Sequence, residues 1–157
     1  MKADRPHMPG YGLLAADAGF GLLPWSWAES RLAAARNYWL ASVSETGRLH
    51  AMAVWGVWRE GALWFSTSDA SRKGRNLAHD ARCVITTERA DEAVVVEGRA
   101  ERFAAQSAPE ELPRAYEAKY AMGYPPDSEV YAVRPSVVFG WYEDAERFPG
   151  SATRWRF

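Results

Sequence analysis

Apolar and polar positions along the chain sort into short β-prone runs separated by tight turns, with only a few stretches of helical period. Tyr38–Ser44 and Leu49–Trp58 are aromatic and apolar, and Glu45-Thr46-Gly47-Arg48 between them supplies a turn with a glycine free to take positive φ. The pair therefore predicts a hairpin. Alternation along the second run puts Leu49, Ala51, Ala53, Trp55 and Val57 on one face and His50, Met52, Val54, Gly56 and Trp58 on the other. Both faces are largely apolar, as expected of a barrel wall that is covered from outside or meets another subunit. Arg59-Glu60-Gly61 turns into a third strand, Ala62–Thr67, and further strands are expected at Arg82–Glu88 and Ala93–Phe103, the latter bent or bulged at Gly98. Val130–Arg134 and Ser136–Glu143 read as two more strands, parted by Pro135.

Helical signals are fewer. Ser26-Trp27-Ala28-Glu29 has the form of a capping box, with Leu32, Ala35 and Arg36 carrying a short helix toward Asn37. Residues 70–79 predict a second helix. Ser107-Ala108-Pro109-Glu110 repeats the capping pattern ahead of a third, in which Leu112, Tyr116 and Tyr120 lay one stripe on the sheet before an end near Gly123 and Pro125. Residues 1–24, rich in Gly and Pro, form an N-terminal arm of the kind that in some proteins packs across a partner subunit; residues 25–157 make a single domain. Hairpin-length turns between the first strands exclude a doubly wound parallel sheet and favour a small antiparallel barrel, mainly β with flanking helices.

Composition narrows the functional classes. A net charge of -1 in 157 residues gives no general attraction to nucleic acid or to an acidic membrane, and no apolar run approaches a membrane span. The lone cysteine, Cys83, lies in a predicted strand without an activating base and suits a reducing cytoplasm, so a cytoplasmic location is expected. His7, His50 and His79 are scattered over an arm, a strand and a helix end, and no HExxH, CxxC, GxSxG or GxGxxG occurs. No metal site and no catalytic side chain is therefore assigned. Eight tryptophans in so small a chain point to a core, a ligand slot or a subunit interface.

One stretch carries candidate chemistry. Strand 62–67 ends in Ser66, Thr67 and Ser68, and the chain then enters Ser71-Arg72-Lys73-Gly74-Arg75 at a helix start. Hydroxyls, free helix N–H groups and two adjacent cations make a phosphate cradle, the other reading being a solvated basic face. Beside it, Ala51, Ala53 and Gly56 let something flat lie close to the backbone. A phosphate tail with a flat, apolar head describes a flavin or deazaflavin mononucleotide.

In their order, Tyr38 to Val43, Gly47 to Trp58, Gly61 to Thr67, Ser71 to Leu77 and Asp80-Ala81-Arg82 resemble the pyridoxamine 5'-phosphate oxidase-like superfamily, and within it the flavin/deazaflavin oxidoreductases. The resemblance spans roughly residues 36–142. It implies a six- to seven-stranded antiparallel split β-barrel, a homodimer with two interfacial sites, and FMN or coenzyme F420 as cofactor. By the same resemblance His50, Ala51, Met52, Ala53, Val54 and Trp55 run beside the ring, while Ser66, Thr67, Ser71, Arg72 and Lys73 hold the phosphate and ribityl chain. Asn76 either steadies the helix or touches the ligand. Trp155 and Arg156 are lid residues or interface packing. Ala53 replaces a frequent Pro, and Gly74 replaces a frequent Ala, which is expected to loosen the phosphate helix.

The implied activity is hydride transfer to or from a small organic substrate, set between Trp55, Tyr142 and Trp155. Two other readings share the pocket: a flavin carrier without turnover, and a haem or tetrapyrrole binder with His50 as axial ligand. Cations beyond the cradle, from Arg75, Arg36, Arg48 and Arg154, would favour F420, whose tail is acidic.

Overall fold

The computed structural model describes residues 1–124 and 129–157. Its strands are β1 (Lys2–Asp4), β2 (Asn37–Val43), β3 (Leu49–Arg59), β4 (Ala62–Ser66), β5 (Arg82–Thr87), β6 (Glu92–Phe103), β7 (Val130–Tyr142) and β8 (Thr153–Arg156). Four helices accompany them: α1 (Trp25–Ala34), α2 (Arg72–His79), α3 (Leu112–Tyr120) and α4 (Phe148–Ser151). All strand pairs are antiparallel, in the order β1-β8-β7-β4-β3-β2-β5-β6, and β6 closes onto β7. The result is a six-stranded barrel extended by β8 and β1, a split barrel as expected.

Closure depends on β7. One edge of it follows β6 from Glu92 to Phe103; the other pairs first with β4, through Val130–Val133, and then with β8, through Val137–Gly140. Pro135 sits between these two partners and opposite the irregularity at Glu97/Gly98. Its missing N–H therefore costs no hydrogen bond to β4 or β8, and the two strands expected on either side of it are one. The bulge at Gly98 lies where its glycine was expected to bend the sheet.

The interior is filled by Tyr38, Leu40, Val54, Trp58, Leu63, Phe65, Ile85, Val94, Val96, Tyr131, Val133, Val138 and Trp155, all buried. A second cluster places α3 against the outside of the barrel, where Leu112, Tyr116 and Tyr120 cover Val57, Trp64 and Ala132. Cys83 is buried and its thiol is pushed up to about 12 by burial, which makes it inert as expected.

Several helix starts differ from expectation. Ser26 does not cap α1: the N-cap is Pro24, and Ser26 lies inside the first turn. Trp25 opens the helix because its ring packs edge-on against Trp155 and Phe157, at 5.7 and 4.9 Å. Ala105–Ser107 form a single 3-10 turn rather than a capped helix, and α3 begins at Leu112 with Pro113 in its first turn. Pro125, where that helix was expected to stop, lies outside the described residues; α3 ends at Tyr120 with Ala121 in the left-handed conformation. The first residues of the N-terminal arm are tied down within the chain. Lys2–Asp4 pair with Arg154–Arg156 of the same chain, and Asp4 ion-pairs with both Arg154 and Arg156.

Candidate functional site

Strand β3 pairs with β2 along Leu49–Trp55, and β4 pairs only with its far end, Gly56–Arg59. The other edge of Leu49–Trp55 is thus free of any strand partner among the described residues. Exposure follows this split: Leu49, Met52 and Trp55 are about half-exposed or more, whereas Val54, Gly56, Val57 and Trp58 are buried. Backbone N–H and C=O groups along such an edge remain available to a ligand's polar rim.

Where β4 ends, the chain builds the second half of the site. Ser66 Oγ donates to the Glu129 carbonyl at 3.1 Å, and the Thr67 and Ser71 hydroxyls meet at 3.0 Å. Ser71 is the N-cap of α2, its Oγ accepting from the Gly74 N–H at 3.0 Å. Gly74 is buried, and a Cβ there would run into the Ser68 carbonyl oxygen and come within 3.0 Å of Asp69 Cα. The expectation that Gly74 loosens the helix is therefore reversed: its missing side chain lets the 68–71 loop fold onto the first turn. Arg72 and Lys73 extend from that turn with no ion pair among the described residues.

Helix α2 is anchored to β2 from below. Asn76 is buried and its Nδ2 donates to Ser42 Oγ at 3.0 Å. Ser42 pairs across the hairpin with His50, so Asn76 ties the helix to the barrel through one of its amide N–H groups. His50 lies beside the helix start. Burial, then the charges of Arg72 and Lys73, hold its imidazole below the ordinary histidine value, and its buried Nδ1 has no hydrogen-bond partner. The cradle residues and the β3 edge are thus brought together, with His50 at the join.

Trp155 and Arg156 belong elsewhere. Trp155 is fully buried, packed against Trp25 and the Cα face of Gly140, so it is core and not a lid. Arg156 is held by Asp4 on β1. Tyr142 accepts a hydrogen bond from Trp27 Nε1 at 2.7 Å and lies under the Arg147 guanidinium. Trp55 instead stacks on Tyr120, at 5.0 Å and 8° between planes. Among the described residues the three aromatics expected to enclose a substrate form no ring pair with one another: Trp55 packs on α3, whereas Trp155 belongs to the core cluster and Tyr142 packs against it.

Two arrangements were not foreseen from the sequence, although Tyr120 was expected on the α3 stripe and Arg48, His50 and Arg72 were each named as candidates. Tyr120 Oη accepts from the Gly56 N–H at 2.8 Å, and Lys119 Nζ donates to the Gly56 carbonyl at 2.6 Å and to Tyr38 Oη at 3.1 Å. Together they pin β3 at the residue where β4 joins it. Burial outweighs the nearby Glu88 carboxylate and pushes Lys119 down to about 8. The other unforeseen arrangement is at the hairpin tip, where Ser44, Thr46, Arg48, Leu49, His50 and Arg72 line a common cavity of about 200 Å³. Only the pairing register of the hairpin brings Arg48 to α2. Among the described residues no helix is long and apolar enough to cross a membrane, and no group of three or more His, Cys, Asp or Glu side chains is arranged to hold a metal.

The family profile described as "Pyridoxamine 5'-phosphate oxidase" matches residues 28–142, which span β2 to β7 and the whole of this site. The chain belongs to that family. Its fold recurs in a conserved hypothetical protein from Mycobacterium tuberculosis, at 22% identity and TM-score 0.64, over 76% of this chain and 85% of the other. A structure titled F420 reductase is similar at 20% identity and TM-score 0.59, over 70% and 94% of the two chains. A haem-binding protein from Mycobacterium smegmatis is 28% identical with TM-score 0.54; the match covers 75% of this chain and 54% of that one. No functionally curated protein matches the sequence.

Proposed function

We propose that this member of the family is an oxidoreductase that holds a flavin-type cofactor, FMN or F420, against the free edge of β3. The observation carrying the reading is the meeting of that edge with the cationic start of α2, joined by the orphaned Nδ1 of His50. A buried ring nitrogen without a partner, next to two cations without partners, fits an anionic ligand with acceptor atoms.

When bound, either cofactor supplies hydride transfer at its ring. Residues of this chain then have positioning roles. Arg72, Lys73 and the N–H groups of the first turn of α2 hold the phosphate; the backbone from Ala51 to Trp55 orients the ring's polar rim; Lys119 and Tyr120 keep Gly56, the end of that edge, in place. No side-chain acid or base is assigned. The positive charge of Arg72 and Lys73 also disfavours protonation of His50, leaving a neutral imidazole able to donate or accept one hydrogen bond.

A homodimer belongs to the same proposal. Trp39, Leu49, Met52 and Trp55 leave an exposed apolar surface on the β2–β3 hairpin beside the site, and a second copy covering it would exclude water from the ring. Native mass spectrometry of the protein incubated separately with FMN and with F420 tests both statements: a dimer carrying two molecules of one cofactor is expected. Protein that takes up neither overturns the reading.

A tetrapyrrole is the second reading, favoured by the neutral, unpartnered His50 and by the similarity to a haem-binding protein. It requires a Soret band in haem-loaded protein that disappears in His50→Ala.

A further inference from the structure

Asp69 is the carboxylate nearest in the chain to Arg72 and Lys73, three and four residues ahead of them. An acid so placed is the natural counter-ion of both cations, and where it pairs with them an incoming anion has to displace it. In the fold it is turned the other way. Its carboxylate accepts a hydrogen bond from Tyr131 Oη at 3.0 Å and lies 2.7 Å from Nη2 of Arg102. Among the described residues it pairs with neither Arg72 nor Lys73.

The hold on Asp69 draws on β4, β6 and β7. Tyr131, on β7, is buried and stacked on Phe65 of β4 with 5.5 Å between ring centres, so its hydroxyl reaches Asp69 from the core side. Burial first, and the bond to Asp69 next, push that phenol up to about 12, which keeps it a donor. Arg102, near the end of β6, comes from the solvent side. It also holds the Glu129 carboxylate, through Nε at 2.9 Å and Nη2 at 2.7 Å. The Glu129 carbonyl in turn accepts the Thr67 N–H at 3.2 Å and Ser66 Oγ at 3.1 Å. The exit of β4, the 68–71 loop and the facing ends of β6 and β7 are thereby tied at one place. None of these bonds uses Ser71, Arg72 or Lys73. An exposed ion pair of this kind adds little to stability; its value lies in where it keeps a charge.

We propose that Arg102 is a positioning residue for the phosphate cradle: together with Tyr131 it holds the Asp69 carboxylate away from Arg72 and Lys73, so that both cations meet the phosphate of the bound cofactor. The inference rests on the cofactor reading above and adds to it a residue that touches no ligand. Without Arg102 the charge of Asp69 is no longer cancelled, and it competes with the phosphate for the two cations at the start of α2.

Dissociation constants for FMN against riboflavin, and for F420 against its phosphate-free deazariboflavin core, test this on four proteins. They are the wild type, Arg102→Gln, the double variant Arg102→Gln/Asp69→Asn, and Arg134→Gln as a control that removes a cation paired elsewhere on β6 and β7. Arg102→Gln is expected to weaken the phosphate-bearing cofactor about tenfold and to leave its phosphate-free counterpart within about twofold, the loss shrinking at high salt. Adding Asp69→Asn removes the competing charge and should recover most of the loss, while Arg134→Gln should change neither affinity. A loop that is only loosened is not mended by the second substitution. A defect that persists in the double variant therefore overturns the proposal, as does an equal loss of both forms or no loss at all. Should wild type bind none of the four compounds, the cofactor reading fails, and inorganic phosphate tests the cradle alone through the backbone amide resonances of residues 72–74. Shifts present in wild type, reduced in Arg102→Gln and restored in the double variant keep the proposal; any other pattern removes it.

Discussion

Gly74 shows how a single missing methyl group sets the geometry of the cradle. On helix propensity alone, alanine at this position would stabilise α2 by something under about 1 kcal/mol. Packing decides the opposite, because the Cβ meets the Ser68 carbonyl and the 68–71 loop has to move away. Gly74→Ala is expected to lower stability by about 1–3 kcal/mol in urea unfolding. Gly123→Ala, where a Cβ meets nothing within 4 Å, should stay within about 0.5 kcal/mol of wild type. A Gly74→Ala protein as stable as wild type would mean that the loop does not rest on the helix. Asn76 gives the same lesson for polar groups: its amide is buried and holds α2 to the barrel through a bond to Ser42.

Between elements, the contact of α3 with β3 has a titration of its own. Lys119 holds its proton less tightly in the fold, at about 8, than at the ordinary lysine value of 10.5. The unfolded chain therefore binds more protons between these values, and stability due to this group rises with pH across that window. Tyr38, Tyr116, Tyr120 and Tyr124 shift upward by burial and act in the opposite sense above about pH 10, where unfolded tyrosines ionise. Lys119→Met should flatten the rise between pH 8 and 10 and leave the later fall; thermal unfolding across that range measures it, and unchanged slopes would exclude a buried Lys119. Elements were legible where the signal was local. The turn at Gly47, the strands on either side and the bulge at Gly98 follow from side-chain alternation and glycine placement. Both capping boxes misled, since tertiary contacts of Trp25 and a 3-10 turn at Ala105–Ser107 outweighed a four-residue pattern. Pro135 misled for a different reason: a proline can continue a strand wherever its neighbours change, and only the pairing of β7 reveals that they do.

For the molecule as a whole, the barrel was readable, but the strand-free edge of β3 beside the start of α2 was not. That edge is left by β4 joining β3 only from Gly56 onward, a long-range register that no local pattern encodes. The same register explains why a strand apolar on both faces is half exposed in one chain. Leu49, with 81% of its surface exposed, stands at the end of the uncovered patch. Leu49→Glu is expected to weaken the proposed dimer at least about tenfold in sedimentation velocity without unfolding the barrel. A variant that remains dimeric at the same concentrations would move the interface off this hairpin.

Trp155 has a consequence for truncation. This indole, the largest fully buried side chain, packs beside Trp25, Trp27 and Gly140. A chain cut before β8 carries a hole there, and loss of a buried Trp costs about 3–5 kcal/mol, much of the stability an ordinary domain has. Such a truncated chain is expected to be loose and open to proteolysis, although β8 contributes nothing to the β3 edge itself.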